Sequence, residues 1–161
     1  MQITVSFKLD LPEGGDINTV EELVIEASRR AMAEAIQDSV QAYEEQLKTC
    51  PHCGSEDVRN MGNDQRALLM SFGRVTLSTR RMRCHRCKYR FRPADGYLAC
   101  LGETNITAAL AQASIMTGML CSYDNAAKVL AKLCGVRMSA EQVRKLTQRA
   151  EVAENSHHIQ V

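Results

Sequence analysis

Apolar and polar positions change rhythm three times along this chain. At the start, Ile3, Val5 and Phe7 alternate with Thr4, Ser6 and Lys8. A period of two sends neighbouring side chains to opposite faces, so the pattern predicts a strand over residues 2–9. Pro12, Gly14 and Gly15 then interrupt it. These are the strongest local breakers of regular structure.

The period lengthens after residue 16. Val20, Val24, Ala27 and Ala31 mark one apolar stripe, and Ile36, Val40, Tyr43 and Leu47 mark a second at the same spacing. Thr19 and Glu22 fit a capping box, in which both side chains satisfy free N–H groups at a helix start. Residues 19–48 are rich in Ala, Glu, Gln and Leu and lack Gly and Pro, as a long helix requires. The five-residue step between the stripes departs from a regular coiled-coil seam. This helix is expected either to pack on its own domain or to pair with a second copy as a homodimer.

Short runs rich in β-branched residues come next. Arg66–Phe72 and Val75–Arg83 predict a hairpin turning near Gly73-Arg74. Tyr89–Arg92 predicts a third strand, ended by Pro93. Residues 94–104 read as a linker. The last third returns to a helical period. One helix runs from Asn105 to about Leu120. A second is capped by Ser122 and closed by Gly135, and a third opens on the capping box Ser139–Gln142. The expected fold is therefore α+β: a long N-terminal helix, a ribbon with a β-hairpin, and helix-turn-helix-like C-terminal helices. The expected divisions are 1–49, 50–93, 94–104, 105–155 and a frayed tail, 156–161.

Composition alters this picture in two ways. Trp is absent and aromatic residues make up 4% of the 161 positions, so several small units are favoured over one large core. No segment approaches the roughly 20 apolar residues of a membrane span. The start also lacks a basic region followed by a long apolar run, so a cytoplasmic location is expected, nucleoid-associated when DNA is bound. The charge is also uneven. Residues 1–49 carry net −6, residues 50–92 net +7, and the remainder net 0. Half of all Lys and Arg thus lies in 43 residues, which points to a polyanion partner over a merely solvated face.

Seven cysteines, an odd number without a secretory signal, argue for metal ligation plus free thiols over a disulfide framework. Cys50-Pro51-His52-Cys53 and Cys84-His85-Arg86-Cys87 form two Cys-x-x-Cys pairs. A turn with two intervening residues aims both sulfurs at one ion, and two such turns complete the tetrahedron that zinc prefers. One structural zinc ion per chain is expected on Cys50, Cys53, Cys84 and Cys87. A pair of thioredoxin-like redox motifs is the alternative, but the surrounding βαβ pattern is missing. Cys121 and Cys134 lie beside apolar helix positions and are expected in the core.

Arg74, Arg80, Arg81, Arg83, Arg86, Lys88, Arg90 and Arg92 crowd the segment between the hairpin turn and Pro93. The planar guanidinium fork matches phosphate oxygens, so these eight are candidate DNA contacts. If residues 86–92 run as strand, Arg86, Lys88, Arg90 and Arg92 share a face. Tyr89 and Phe91 interleave with them and are expected to pack in the ribbon rather than stack on bases. In the C-terminal helix pair, small Ala126 and Ala127 permit close approach and Gly135 turns the chain. Val143 and Leu146 face inward. The start of the second helix of such a pair enters the major groove. Gln142, Arg144, Lys145, Gln148 and Arg149 are the candidate DNA contacts there, with Glu141 exposed beside them.

The order of these parts resembles the N-terminal region of bacterial insertion-sequence transposases of the Kra group. The resemblance rests on a cysteine pair, then Leu69-Met70-Ser71-Phe72-Gly73-Arg74-Val75, and an Arg-rich strand into a second cysteine pair. An Asp-Gly linker follows, then Ala126-Ala127-x-x-Leu130, Gly135-Val136, Ser139-Ala140-Glu141 and Val143-Arg144. It covers roughly residues 50–150 and implies binding to double-stranded DNA at the ends of a mobile element. In that family an RNase-H-like domain carries catalytic acids. No segment here supplies them, because Asp10, Asp16 and Asp95 lie in predicted turns without two-metal spacing. The chain is thus expected to be non-enzymatic and to work with a separate catalytic transposase chain or as a regulator. The alternatives are a zinc-ribbon protein-interaction adaptor, a transcriptional regulator, or part of an active DDE transposase.

Overall fold

The computed structural model describes residues 3–102 and 104–158, with side chains through residue 150. Its elements run α1 (Ile17–Gln46), β1 (Val58–Met70), β2 (Gly73–Cys84), β3 (Arg90–Phe91), α2 (Ala94–Leu98), a 3-10 turn (Ala99–Leu101), α3 (Ala108–Leu120), α4 (Tyr123–Cys134) and α5 (Ala140–His158). The α+β class is as expected. The chain divides into two compact units: Met1–Arg66 with Thr76–Cys100, and Ala67–Val75 with Leu101–Val161. This division cuts through the β-hairpin rather than following the expected boundaries of the ribbon.

In the first unit, the strand expected at residues 2–9 does not form over its described part, residues 3–9. Residues 3–11 form no regular secondary structure, and Ile3, Val5 and Phe7 are exposed. Alternation alone does not make a strand when no edge accepts its hydrogen bonds. Helix α1 begins earlier than the Thr19–Glu22 box predicts. Asp16 is the cap, and its carboxylate accepts the Thr19 backbone N–H at 2.8 Å and the Thr19 hydroxyl at 2.8 Å. Those bonds, the backbone one foremost, hold the Asp16 carboxyl below its ordinary pKa.

The C-terminal half of α1 carries the packing, with Ala31, Val40 and Glu44 buried. Two of its polar side chains complete the ladder of β2. Gln37 donates to the Ser78 carbonyl at 3.1 Å and accepts the Ser78 N–H at 2.8 Å. Glu44 accepts the Arg80 N–H at 2.9 Å. β2 is the central strand of the order β1-β2-β3, but β3 pairs with it only at Met82↔Phe91 and Arg83↔Arg90. The amide of Gln37 and the carboxylate of Glu44 satisfy backbone groups that β3 is too short to reach.

The expected linker at 94–104 is instead the helix α2 followed by the 3-10 turn. α2 packs on α1, and the Tyr43 and Tyr97 rings stack with centroids 5.0 Å apart. Gly96 permits this approach, since a Cβ there would lie 2.9 Å from the Tyr43 hydroxyl.

The second unit is a three-helix cluster joined to the hairpin turn. Its core is Leu110, Ala126, Leu130, Val136, Met138 and Val143, with Leu69, Ile106, Ala127, Cys134 and Leu146 packed against it. The caps fall where the sequence places them. Ser122 accepts from the Asn125 N–H, and Gly135 closes α4 at φ 66°. The Ser139 hydroxyl accepts the Gln142 N–H at 3.2 Å while the Gln142 side chain accepts the Ser139 N–H at 2.9 Å. α3 is shorter than expected, starting after Thr107. Its approach is fixed by a parallel bridge between Leu69 and Ile106, with Leu69 N–H donating to Asn105 O at 2.7 Å and Thr107 N–H to Leu69 O at 3.0 Å. The tail expected from 156 continues as helix to His158, and 159–161 lie outside the described residues. Among the described residues no helix is long and apolar enough to cross a membrane.

Candidate metal centre and nucleic-acid interface

The first unit brings all four predicted ligands together. The sulfurs of Cys50, Cys53, Cys84 and Cys87 lie within 4.8 Å of one another. Cys50 and Cys87 are 3.7 Å apart, and Cys53 and Cys84 are 3.6 Å apart. These separations are far beyond a disulfide bond of about 2.05 Å. They match the edge of a tetrahedron with metal–sulfur bonds of about 2.3 Å, which is about 3.8 Å. The donor set and its spacing fit a metal ion such as zinc.

Local backbone geometry explains the convergence. In the first knuckle Gly54 N–H donates to Cys50 O and Cys50 N–H donates to Ser55 O, each at 2.9 Å. In the second, Cys84 N–H donates to Tyr89 O, also at 2.9 Å, and His85 N–H donates to Asp57 O at 2.9 Å. The residue after each pair has positive φ: 70° at Gly54 and 64° at Lys88. The backbone N–H of Cys87 draws the Cys84 thiol down to about 7. At Cys87 the Tyr89 N–H acts in the same direction, but burial and the three neighbouring thiols outweigh it and push that thiol up to about 12. Four sulfurs this close resist carrying several negative charges without a cation among them.

The remaining cysteines stand apart. Cys100 and Cys121 are exposed. Only Cys134 touches the core, and it does so partly buried. The expectation of a core role thus fails for Cys121, which caps the end of α3.

The predicted arginines separate into bound and unbound groups. Arg80 pairs with buried Glu44 at 3.4 Å and with Glu45 at 3.5 Å, so it ties α1 to β2. Arg81 and Arg92 share Asp64, at 3.2 and 2.8 Å. The Arg92 pKa is raised by its hydrogen bond to that carboxylate. Arg86 and Lys88 lie in the knuckle turn, not on a strand face, so the expected alignment of 86, 88, 90 and 92 does not form. Arg83 and Arg90 are direct cross-strand partners. Like charges placed opposite each other destabilise a sheet unless an anion joins them.

Tyr89 does not pack inward as expected, whereas Phe91 is half-buried. Tyr89 is 45% exposed, and the rings of His52, Tyr89 and Phe91 stack in sequence with centroids 5.3 and 6.2 Å apart. A cleft of about 810 Å³ is lined by Tyr43, Met61, Arg81, Tyr89, Arg90, Phe91 and Arg92 among others.

In the second unit, α5 has two polar faces. Glu141 receives two bonds from Arg144, at 2.7 and 2.6 Å, and Arg144 also donates to Gln148 at 2.8 Å. The Arg144 bond lowers the Glu141 pKa, and Glu141 in turn raises that of Arg144. These three side chains satisfy one another. Gln142, Lys145 and Arg149, spaced i, i+3 and i+7, occupy another face. They line a cleft of about 500 Å³ with Arg74 of β2 and Arg137 of the α4–α5 turn. Among the described residues no acidic side chain lines it, although Lys145 also lies 3.6 Å from Glu141. Arg137 is the member that sequence reasoning missed, since it precedes the helix and belongs to no periodic face. Comparison with known protein families and with characterised proteins finds no match.

Proposed function

We propose that this chain is a zinc-dependent, non-enzymatic DNA-binding protein related to the N-terminal region of insertion-sequence transposases. Cys50, Cys53, Cys84 and Cys87 would hold one zinc ion, which supplies structural ligation and closes the ribbon. α5 would read duplex DNA at the ends of a mobile element through Gln142 and Arg149, with Arg74, Arg137 and Lys145 on flanking phosphates. The observation that carries this reading is the cleft, lined by no acid among the described residues, where one face of a capped helix meets cations from two other segments. Arg80, Arg81, Arg92 and Arg144 are held by carboxylates and belong to the scaffold on this reading.

Fluorescence anisotropy on duplex DNA, measured as salt is raised, tests the proposal. Three phosphate contacts predict a log–log slope of roughly −3. Arg137→Ala should weaken binding to all sequences and flatten the slope by about 1, whereas Gln142→Ala should relax sequence preference. An affinity indifferent to salt rejects the proposal. A second reading, a protein-interaction adaptor, draws on exposed Met116, Met119 and Leu120 of α3 and Leu133 of α4. Sedimentation that stays monomeric at high concentration, and is unchanged by Leu120→Ser, removes the self-association form of it.

A further inference from the structure

We infer that the ribbon carries a second nucleic-acid site, one that stacks the bases of an unpaired DNA strand on Tyr89 and Phe91. Three observations converge on it. The rings of His52, Tyr89 and Phe91 form a ladder, with interplanar angles of 24° and 13°. Tyr89 is 45% exposed, although an aromatic ring gains most from burial. The cleft beside these rings, about 810 Å³, lies in the range that accommodates a ligand the size of a nucleotide.

The charges complete the site. Arg90 lines the cleft and forms no ion pair among the described residues, Arg81 and Arg92 beside it are held by Asp64, and Asp95 also lines the cleft. A guanidinium without a carboxylate partner can take a strand's phosphate through two parallel hydrogen bonds. Flat rings that accept any base, with cations tracking the backbone, are the chemistry of single-strand binding. A duplex cannot use these rings, because its bases are already stacked on one another. The choice of DNA over RNA rests on the proposed function above, while the stacking itself depends only on the ribbon.

The test uses the full zinc-loaded chain with fluorescein-labelled dT15, rU15 and a blunt 15-base-pair duplex, in parallel anisotropy titrations at low salt. Tyr89→Leu preserves apolar bulk but removes the π-face. It should weaken dT15 binding about five- to hundredfold and leave duplex binding and zinc content as in the parent. Tyr89→Phe, which keeps the ring, should retain dT15 binding. No binding of dT15 by the parent chain, or equal binding by Tyr89→Leu, overturns the inference. So does a parallel loss of dT15 and duplex binding in Tyr89→Leu, which would make the ring merely structural. Tighter binding of rU15 than dT15 overturns the assignment to DNA. Failure on the duplex alone, with dT15 still bound, counts against the reading of α5 and not against this one.

Discussion

The two units of this chain reach stability by different means. The helical unit buries Leu68, Val75, Leu110, Ala126, Leu130, Val136, Met138 and Val143, most of them in one cluster. The ribbon unit buries Ala31, Val40, Leu77, Ala94 and Leu98, and its other buried apolar positions are Cys50 and Cys84. Only Val40, Leu77 and Leu98 of that set are large. A small domain with so little apolar burial needs another source of free energy. Here the cysteine cluster, with Cys50 and Cys84 buried, stands where core side chains would be, and Gln37 and Glu44 supply hydrogen bonds that a wider sheet would supply itself.

Metal removal should therefore divide the molecule, and it is the largest effect expected. Zinc bound at such sites contributes about 10–16 kcal/mol of apparent binding free energy, which is lost from folding when the ion goes. Chelation, or Cys84→Ser, should expose the amides of the knuckles and β3 to rapid hydrogen exchange. The amides of α3–α5 should keep their protection. Simultaneous loss of protection in both units would break the comparison. The converse experiment is Leu130→Ala, in a side chain only 2% exposed. It should cost about 2–5 kcal/mol. Exchange should rise in α3–α5 while one zinc per chain is retained by elemental analysis.

A smaller perturbation tests how tightly the helical core is packed. A Cβ on Gly118 would lie 2.5 Å from the Thr147 hydroxyl and 3.1 Å from Val143. Thr147 is buried and donates to the Val143 carbonyl at 3.0 Å, so it has no room to withdraw. Gly118→Ala should destabilise the unit by about 1–3 kcal/mol, read as a lower Tm. An unchanged Tm would mean that the α3–α5 crossing is looser than these distances require.

Legibility followed the range of the forces involved. The caps at Ser122, Gly135 and Ser139 were readable because each is a local bond within a few residues. The four cysteines were readable because metal geometry fixes their spacing. The third strand was nearly so, expected at Tyr89–Arg92 and formed at Arg90–Phe91, since Pro93 limits it. What the sequence hid depends on distant partners. Nothing near Gln37 announces that its amide will bond Ser78, 41 residues away. Gly96 and Gly118 each mark a place where another side chain passes close by, which no local pattern announces. The strand expected at residues 2–9 failed for the same reason in reverse, since its alternation was genuine and its partner was missing.

The finest test lies inside the metal centre, where the two knuckles repeat one geometry with different residues. Both need positive φ after the second cysteine, and only the first has glycine there. A left-handed conformation costs a residue with a Cβ about 1–2 kcal/mol relative to glycine. Lys88→Gly should therefore raise the stability of the zinc form by about 1 kcal/mol, offset in part by the added freedom of the unfolded chain. Lys88→Asn should give a smaller gain, because Asn tolerates this region without losing its Cβ. Gly54→Ala should move stability the other way, although nothing lies within 4 Å of the added methyl. Thermal melting at a fixed excess of zinc reads all three. If Lys88→Gly instead lowers Tm, the lysine contributes a contact in the folded ribbon that outweighs its backbone strain. The second knuckle would then be stabilised by its side chain and the first by its backbone.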